Sequence, residues 1–219
     1  MKKKLAVKLA TGMVLLLLFA AQSQAGTILS NFPGNPSYDQ LTGLGTNALG
    51  DNTKGVGLIM GANSMNFVSM TTLISNSESP SVLSGGIYSD SLGNPGALLK
   101  DFTPINVPES PSVYFYDYTL TIAGSFTLAA NTSYWFVLDG PTYTNHLSWH
   151  ALNPNVAPTA SGDISYTGYR YSSNGGTSWG SSSFYNGVAI DASPVPLPGA
   201  VWLLGPCVVG LFGLRRKKL

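Results

Sequence analysis

Short apolar stretches alternate with turn-forming residues through the middle of the chain, and this pattern predicts β-strands. Between residues 26 and 194 the apolar stretches are bounded by Gly, Pro, Asn and Ser, and helix signals are almost absent. The polar segment 37–54 is predicted to be a long loop with an irregular edge strand. We therefore predict an all-β domain built as a single antiparallel, jelly-roll-like β-sandwich. The predicted strands are residues 27–30, 56–60, 66–74, 82–88, 113–128, 134–138 and 184–190.

One strand and two connecting segments carry more specific predictions. Residues 134–138 are almost uninterruptedly apolar, which predicts a central strand covered on both faces. The oxygen-rich residues 89–96 are predicted to form a turn, and calcium binding by that turn stays open as an alternative. Residues 191–194 lead into a proline-rich segment and are predicted to be an extended linker. A chain ending at Ala192 should then melt at the same temperature as the whole exported domain.

The first long apolar stretch lies near the N-terminus. A lysine-rich start precedes the apolar residues 13–21, and small residues follow up to Ala25. This order is typical of a secretory signal peptide, which we assign to residues 1–25 and expect to be helical. The predicted partners at this end are the secretion translocon and a signal peptidase that cuts between Ala25 and Gly26.

The second long apolar stretch lies within residues 193–219, between a proline motif and a basic cluster. We predict a transmembrane helix over residues 199–214, although a helix over 200–214 would be about 22 Å long, against roughly 30 Å of hydrocarbon. The basic cluster should stay on the cytoplasmic side of the membrane, which leaves the β-domain outside. The motif is Val195, Pro196, Leu197 and Pro198, and the cluster is Arg215, Arg216, Lys217 and Lys218.

This order of motif, apolar helix and basic end resembles the PEP-CTERM sorting signal of Gram-negative bacteria. That signal is read by exosortase, a membrane-embedded, transpeptidase-like enzyme. Two features depart from the family pattern. Leu197 stands where the motif has Glu, and Pro206 and Cys207 interrupt a stretch that usually consists of small residues without a break. The resemblance implies exosortase as a partner and a species that secretes exopolysaccharide. An ordinary single-pass membrane anchor is the alternative.

The net charge of the segment between the two ends limits the classes of partner that it is expected to bind. Lys54, Lys100 and Arg170 are its three cations against all ten acids of the chain, a net charge of −7. Three scattered cations form no basic stripe, so nucleic acid is not an expected partner. The single cysteine, Cys207, lies in the C-terminal segment, so the β-domain must be stable without disulfides.

The β-domain itself resembles a second family, the choice-of-anchor R domain. The resemblance is carried by the strand and turn patterns of residues 86–90, 94–99 and 126–138 and extends over residues 26–192. This family is an extracellular module found ahead of several alternative anchoring tails. The resemblance implies a β-sandwich and transfers no catalytic residue.

Aromatic residues are dense near the end of the β-domain. The segment 172–179 resembles the Asp-box hairpin, in which a turn side chain caps backbone amides and a Trp packs beneath the turn. Exposed rings on a β-sandwich can stack on sugars, whereas buried ones fill the core. The candidate glycan-stacking residues are Tyr169, Tyr171, Trp179 and Tyr185.

Few residues offer candidate chemistry. His146 and His150 would share one face of a helix or a strand, but no Glu lies between them as in a metalloprotease helix. We expect structural histidines, with a zinc site as the alternative. A catalytic pair of carboxylates, such as Asp139 and Asp163, stays open as an alternative, because the sequence does not show which side chains are close in space. We predict no catalytic residue, metal or cofactor.

These observations lead to a functional prediction. The chain is expected to be a non-enzymatic, exported surface or matrix protein, sorted by exosortase and associated with exopolysaccharide or biofilm. Its precursor would sit in the cytoplasmic membrane with a cytoplasmic C-terminus before it reaches the cell surface or the medium. The main alternative is a carbohydrate-binding module on an ordinary anchor. A glycan hydrolase is the third function considered.

Overall fold

The computed structural model describes residues 24–32, 37–47, 50–77, 80–110, 115–140 and 147–195, with the backbone alone for residues 37–47, 50–51 and 152–153. Every regular element within these ranges is a β-strand. The strands are β1 (Gly26–Ser30), β2 (Ser37–Asn47), β3 (Gly50–Ile59), β4 (Met65–Asn76), β5 (Ser81–Ser91), β6 (Asn94–Asp101), β7 (Ile105–Val107), β8 (Tyr116–Leu120), β9 (Thr127–Leu128), β10 (Ser133–Asp139), β11 (Leu147–Asn153), β12 (Thr159–Ala160), β13 (Ser165–Ser172), β14 (Gly180–Ser181) and β15 (Val188–Pro194).

The strands form two antiparallel sheets within the compact unit Ala25–Pro194. The first sheet has the order β12-β1-β15-β4-β11-β2, and β8 and β9 also pair with β4. The second has the order β13-β3-β10-β5-β6, with β14 beside β13 and β7 beside β5. The sheets join where β2 pairs with β3, from Gly45 opposite Asn52 to Asn47 opposite Gly50. The predicted all-β, antiparallel fold is therefore confirmed for the described residues.

Aromatic side chains from the two sheets meet in a shared core. The ring of Phe67 on β4 lies 5.7 Å from that of Phe136 on β10, and Trp149 on β11 lies 5.7 Å from Tyr169 on β13. Burying such large rings supplies most of the free energy that stabilises a domain without disulfides. The two sheets thus pack face to face in a sandwich-like arrangement.

Strand β10 is buried on both of its faces, as its apolar sequence predicts. Tyr134, Phe136 and Leu138 point into the shared core, whereas Trp135 and Val137 lie on the opposite face and are also buried. The strand is central because it pairs with β3 on one side and with β5 on the other. This prediction is confirmed.

A cation and an acid cover Trp135 on the outer face of the second sheet. The indole Nε1 of Trp135 donates a hydrogen bond to Asp90 Oδ1 at 2.7 Å, and the Arg170 guanidinium lies 5.4 Å from the ring centroid. Arg170 Nε also donates to the carbonyl of Gly93 at 3.0 Å. These contacts attach the β5–β6 turn to β13.

That turn is tighter than the sequence suggests. Only Leu92 and Gly93 connect β5 to β6, and both have a positive φ, 53° and 79°. Asp90 Oδ2 accepts a hydrogen bond from the Gly93 amide, which stabilises the turn. Most of the predicted turn 89–96 is strand, because residues 89–91 belong to β5 and residues 94–96 to β6. Ser89 Oγ accepts a hydrogen bond from the Ala97 amide.

Two other predicted connections are also strands. The segment 37–54 was predicted to be a long loop with an irregular edge strand, yet β2 and the first half of β3 occupy it. The predicted linker 191–194 belongs to β15, where Ala192 is fully buried opposite Phe67 and Pro194 pairs with Met65. Both predictions were wrong because backbone pairing with distant strands decides these segments.

The two chain ends lie largely outside the described residues. The predicted signal-peptide helix, except Gln24 and Ala25, and the predicted helix 199–214 are not described. Across the ranges that the structure does describe, no helix combines the length and apolarity of a membrane span.

Candidate functional site

A cleft opens where β3 and β13 leave the shared core. In the register of these strands Lys54 lies opposite Tyr171, and Val56 lies opposite Tyr169. Since side chains two residues apart point to the same face of a strand, Lys54 and Tyr171 continue the core-facing rows of Val56 and Tyr169. Val56 and Tyr169 are buried, whereas Tyr171 is 46% exposed. The cleft therefore lies at the edge of the core.

The cleft has a volume of about 460 Å³ and a largely hydroxyl-bearing wall. No acidic side chain is among its described lining residues. The lining consists of Asn52, Thr53, Lys54, Tyr171, Ser172, Ser181, Ser182, Ser183 and Phe184. Aromatic rings beside hydroxyls, an amide and a cation are the chemistry of a polar ligand that also has apolar faces.

Two partly exposed rings border this cleft. The ring of Tyr171 lies over Gly180, where an added Cβ would come within 3.0 Å of Tyr171 Cε1, so a glycine lets the ring lie flat against β14. Phe184 is 41% exposed, although apolar rings are usually buried. Both rings can therefore be reached by a ligand from solvent.

Backbone contacts hold the serine segment of the wall in place. Ser182 donates its amide to the carbonyl of Tyr169 at 3.1 Å. The Ser182 Oγ donates to the Phe184 carbonyl and accepts from the Phe184 amide, both at 3.2 Å. This small ring of hydrogen bonds fixes the backbone that carries the Phe184 side chain.

Lys54 is the cation of the cleft, and it has no counter-charge there. Among the described residues, no acceptor is found for its ammonium group, although its stem lies beside the core. Burial lowers the pKa of Lys54 from the usual 10.5 to about 8. At neutral pH the group is still mostly charged, so an anion in the cleft would compensate a charge that has lost much of its hydration.

A buried hydroxyl lies next to Lys54. Thr53 is 6% exposed, and its Oγ1 has no hydrogen-bond partner among the described residues. Leaving a buried hydroxyl without a partner costs on the order of 1–3 kcal/mol. Thr53 shares the strand face of Gly55 and Gly57, which lie against Val137 and Trp135, so its side chain points away from the row that carries Lys54.

The four aromatic residues predicted to stack on glycans fall into different environments. Tyr171 lines the cleft. Tyr169 is buried in the core, with its hydroxyl donating to the carbonyl of Asn186, so it cannot stack on a sugar. Tyr185 is half-buried and packs against Tyr166 and Tyr169, and Trp179 is half-buried beneath the turn at Gly176. The prediction for Tyr169 was wrong because its hydroxyl finds an acceptor inside the core.

Lys54 and Phe184 were missed by the sequence analysis. Lys54 lies in the segment predicted to be a loop, and Phe184 lies at the start of a segment predicted to be a strand. One signal could have identified Lys54. It precedes Val56 and Leu58 at intervals of two residues, which extends the core-facing row of a strand by one position.

The segment 172–179 forms the turn that its resemblance to an Asp-box implies. Asn174 Oδ1 accepts from the Ser178 amide at 2.9 Å and from Ser172 Oγ at 2.8 Å. The Gly176 amide donates to Ser172 Oγ at 2.8 Å. The turn joins β13 to β14 and so supports one wall of the cleft.

Within the described ranges, the residues considered for metal or acid–base chemistry do not form a site. His150 is fully buried, its Nε2 lies 2.8 Å from Ser75 Oγ, and its ring centroid lies 3.5 Å from that of Phe115. His146 lies outside the described residues, and the described part of the chain contains no group of three or more metal-ligating side chains. Burial lowers the pKa of His150 to about 3.

Asp139 and Asp163 lie far from each other. Asp139 lies opposite Thr53, the first residue of β3 that pairs with β10. Asp163 Oδ2 accepts a hydrogen bond from the amide of Ala62, which follows the last residue of β3. At about 3.3 Å per residue, these positions are much farther apart than the carboxylates of a glycosidase.

No family model, curated protein or solved structure matches this chain.

Proposed function

We propose that this chain is an exported, non-enzymatic surface or matrix protein that exosortase sorts through residues 193–219. The observation that carries the proposal is the order of Val195-Pro196-Leu197-Pro198, an apolar run and four consecutive cations at the end of the sequence. It is supported by the position of β15, which ends at Pro194, directly before that motif. A folded β-domain followed at once by a sorting motif is the organisation of an exported cargo.

In this proposal the ends of the chain act in export and anchoring. The translocon exports the domain, and signal peptidase cuts between Ala25 and Gly26. A helix over 199–214 holds the precursor in the cytoplasmic membrane with the basic cluster inside. The protein then reaches the cell surface or the medium, in or on exopolysaccharide. Residues 26–192 would be a choice-of-anchor R-like domain, a jelly-roll-like sandwich whose first and last strands are neighbours.

Replacement of the proline motif tests the sorting proposal. Substituting Val195, Pro196, Leu197 and Pro198 with alanine should leave an unprocessed precursor in the membrane fraction. The matched control is Cys207→Ala, which changes the apolar run but keeps the motif. An unchanged size and unchanged release after the alanine replacement would refute sorting by exosortase and favour a plain anchor.

A second candidate function, carbohydrate binding, is favoured by the cleft. Tyr171 and Phe184 offer two accessible rings, and the serine segment offers hydroxyls at the same cleft. Retention of the protein on immobilised polysaccharide tests this candidate. An assay for new reducing ends on the same sample separates binding from hydrolysis: retention without new ends supports a binding module, and new ends would favour a hydrolase.

A further inference from the structure

We propose that the cleft beside β3 and β13 binds an acidic glycan, with Lys54 pairing with a sugar carboxylate and Tyr171 and Phe184 contacting the apolar faces of sugar rings. This inference rests on the second candidate function and adds the charge class of the ligand. It is carried by the joint presence of a cation, two rings and hydroxyls around about 460 Å³.

The cation is the first step of the argument. The described lining residues contain one cation, Lys54, and no acid. Lys54 lies opposite Tyr171 in the register of β3 and β13, and its side chain is half-buried. A partly desolvated ammonium favours an anion more than an exposed lysine does, because water screens the pair less.

The rings and hydroxyls select a sugar rather than a bare anion. A small anion would occupy Lys54 and leave Tyr171 and Phe184 exposed. A sugar ring has an apolar face that can cover an aromatic ring and hydroxyls that can exchange hydrogen bonds with Ser181 or Ser183, which are exposed.

The net charge of the domain argues for local rather than long-range recognition. The segment between the chain ends carries −7, which repels a polyanion at a distance. At physiological ionic strength this repulsion is screened beyond about 8 Å, so the contact with Lys54 can still decide which sugars bind. A comparison of charged and neutral ligands is therefore a sharper test than a salt titration.

Matched oligosaccharides provide the experiment. The full chain is purified in a mild detergent, and the Kd is measured by calorimetry for tetragalacturonate, tetramannuronate and fully methyl-esterified tetragalacturonate. We expect at least one acidic tetramer to bind about 10-fold or more tightly than the neutral ester, which corresponds to the loss of one charge-assisted contact. Inorganic phosphate at the same concentration of negative charge should compete poorly with the acidic tetramer for the cleft, because phosphate cannot cover the rings of Tyr171 and Phe184.

Variants assign the effect to the cleft. Lys54→Gln should weaken binding of the acidic tetramer about 10-fold and leave binding of the ester unchanged, whereas Lys54→Arg should retain part of the affinity. Tyr171→Ala should weaken both ligands about 5-fold, since ring stacking does not depend on charge. The matched controls are Lys100→Gln and Tyr116→Ala, a cation and an exposed ring outside the cleft, and neither should change binding.

The outcomes distinguish a failure of this inference from a failure of the carbohydrate-binding candidate or of the sorting proposal. Equal affinity for acid and ester, or equal competition by phosphate, would overturn the acidic-glycan inference, and equal affinity would still leave carbohydrate binding in place. If none of the tetramers binds, both the inference and the carbohydrate-binding candidate fall. Export and sorting are tested separately through residues 195–198, so their failure would be visible in a different assay. The comparison of acid with ester needs no variant and is decisive even if Lys54→Gln does not fold.

Discussion

Shortening the last strand tests whether the β-domain really ends at Pro194. A chain that stops at Ala192 loses Ser193 and Pro194, which pair with Asn66 and Met65 on β4. It also places a terminal carboxylate on Ala192, a fully buried residue opposite Phe67. The sequence alone predicts no effect, because residues 191–194 read as a linker. The structure predicts a clear loss of stability.

The size of the loss follows from two contributions. Removing two paired residues deletes one or two backbone hydrogen bonds, each worth about 1 kcal/mol. A carboxylate at a buried position adds about 1–3 kcal/mol, because it must be partly desolvated or must pull the strand end into water. The free energy of unfolding should therefore fall by about 2–5 kcal/mol. For a domain of this size each kcal/mol corresponds to about 2–4 °C in Tm, so Tm should drop by roughly 4–20 °C.

Thermal unfolding followed by circular dichroism provides the measurement. The variants are residues 26–192 and 26–195, and the second keeps all of β15. The longer chain should melt within about 1 °C of one extended to residue 198, since the pairing of β15 with β4 ends at Pro194 in the part of the chain that the structure describes. Equal Tm values for the 192 and 195 endings would refute the assignment of residues 192–194 to a stabilising strand.

Three further predictions concern the interior and the turn beside the cleft. As the pH is lowered from 6.5 to about 3, the free energy of unfolding should fall by about 1.4 kcal/mol per pH unit from His150 alone, because this buried ring stays neutral in the folded state and binds a proton in the unfolded chain. Chemical denaturation at several pH values should show that this part of the slope disappears in His150→Gln. Phe136→Ala should cost about 3–5 kcal/mol in urea unfolding, whereas the exposed control Tyr116→Ala should change stability by less than about 0.5 kcal/mol. Asn174→Ala removes the acceptor for the Ser178 amide and should cost about 1 kcal/mol by the same assay, and no measurable change would show that this turn is held by other contacts.

Prediction from the sequence worked best where several consecutive residues are apolar, because such a run indicates burial on both faces of a strand. The run 134–138 is apolar at every position, and the fold gives it neighbours on both sides and cover on both faces. A turn at Ala130 and Asn131 precedes this run, and Asn131 takes the positive φ of 53° that asparagine tolerates. In such segments local chemistry and tertiary structure agree.

Sequence reasoning failed where pairing with distant strands decides the structure. β2 contains Gly, Thr and Gln without apolar alternation, and its strand conformation is fixed by β11, more than a hundred residues later. The last residues of β15 are strand for the same reason, because β4 supplies their partners. No local pattern reports such non-local hydrogen bonds.

The candidate cleft could be predicted only in part. Tyr171 was identified as an aromatic candidate, but its placement opposite Lys54 depends on the register between β3 and β13. Tyr169 has the same residue type two positions earlier and is buried. Composition cannot separate these two tyrosines, since one lies within the shared core and the other lies at its edge.

The mass of the intact mature protein tests the central claim most directly. The protein is isolated from the cells and from the medium of the species that encodes it, and both termini are read from intact mass and terminal peptides. Our account predicts an N-terminus at Gly26 and the loss of the apolar run and of the basic cluster ending at Lys218 from the released form. A released protein that still carries the complete C-terminal segment would contradict sorting by exosortase.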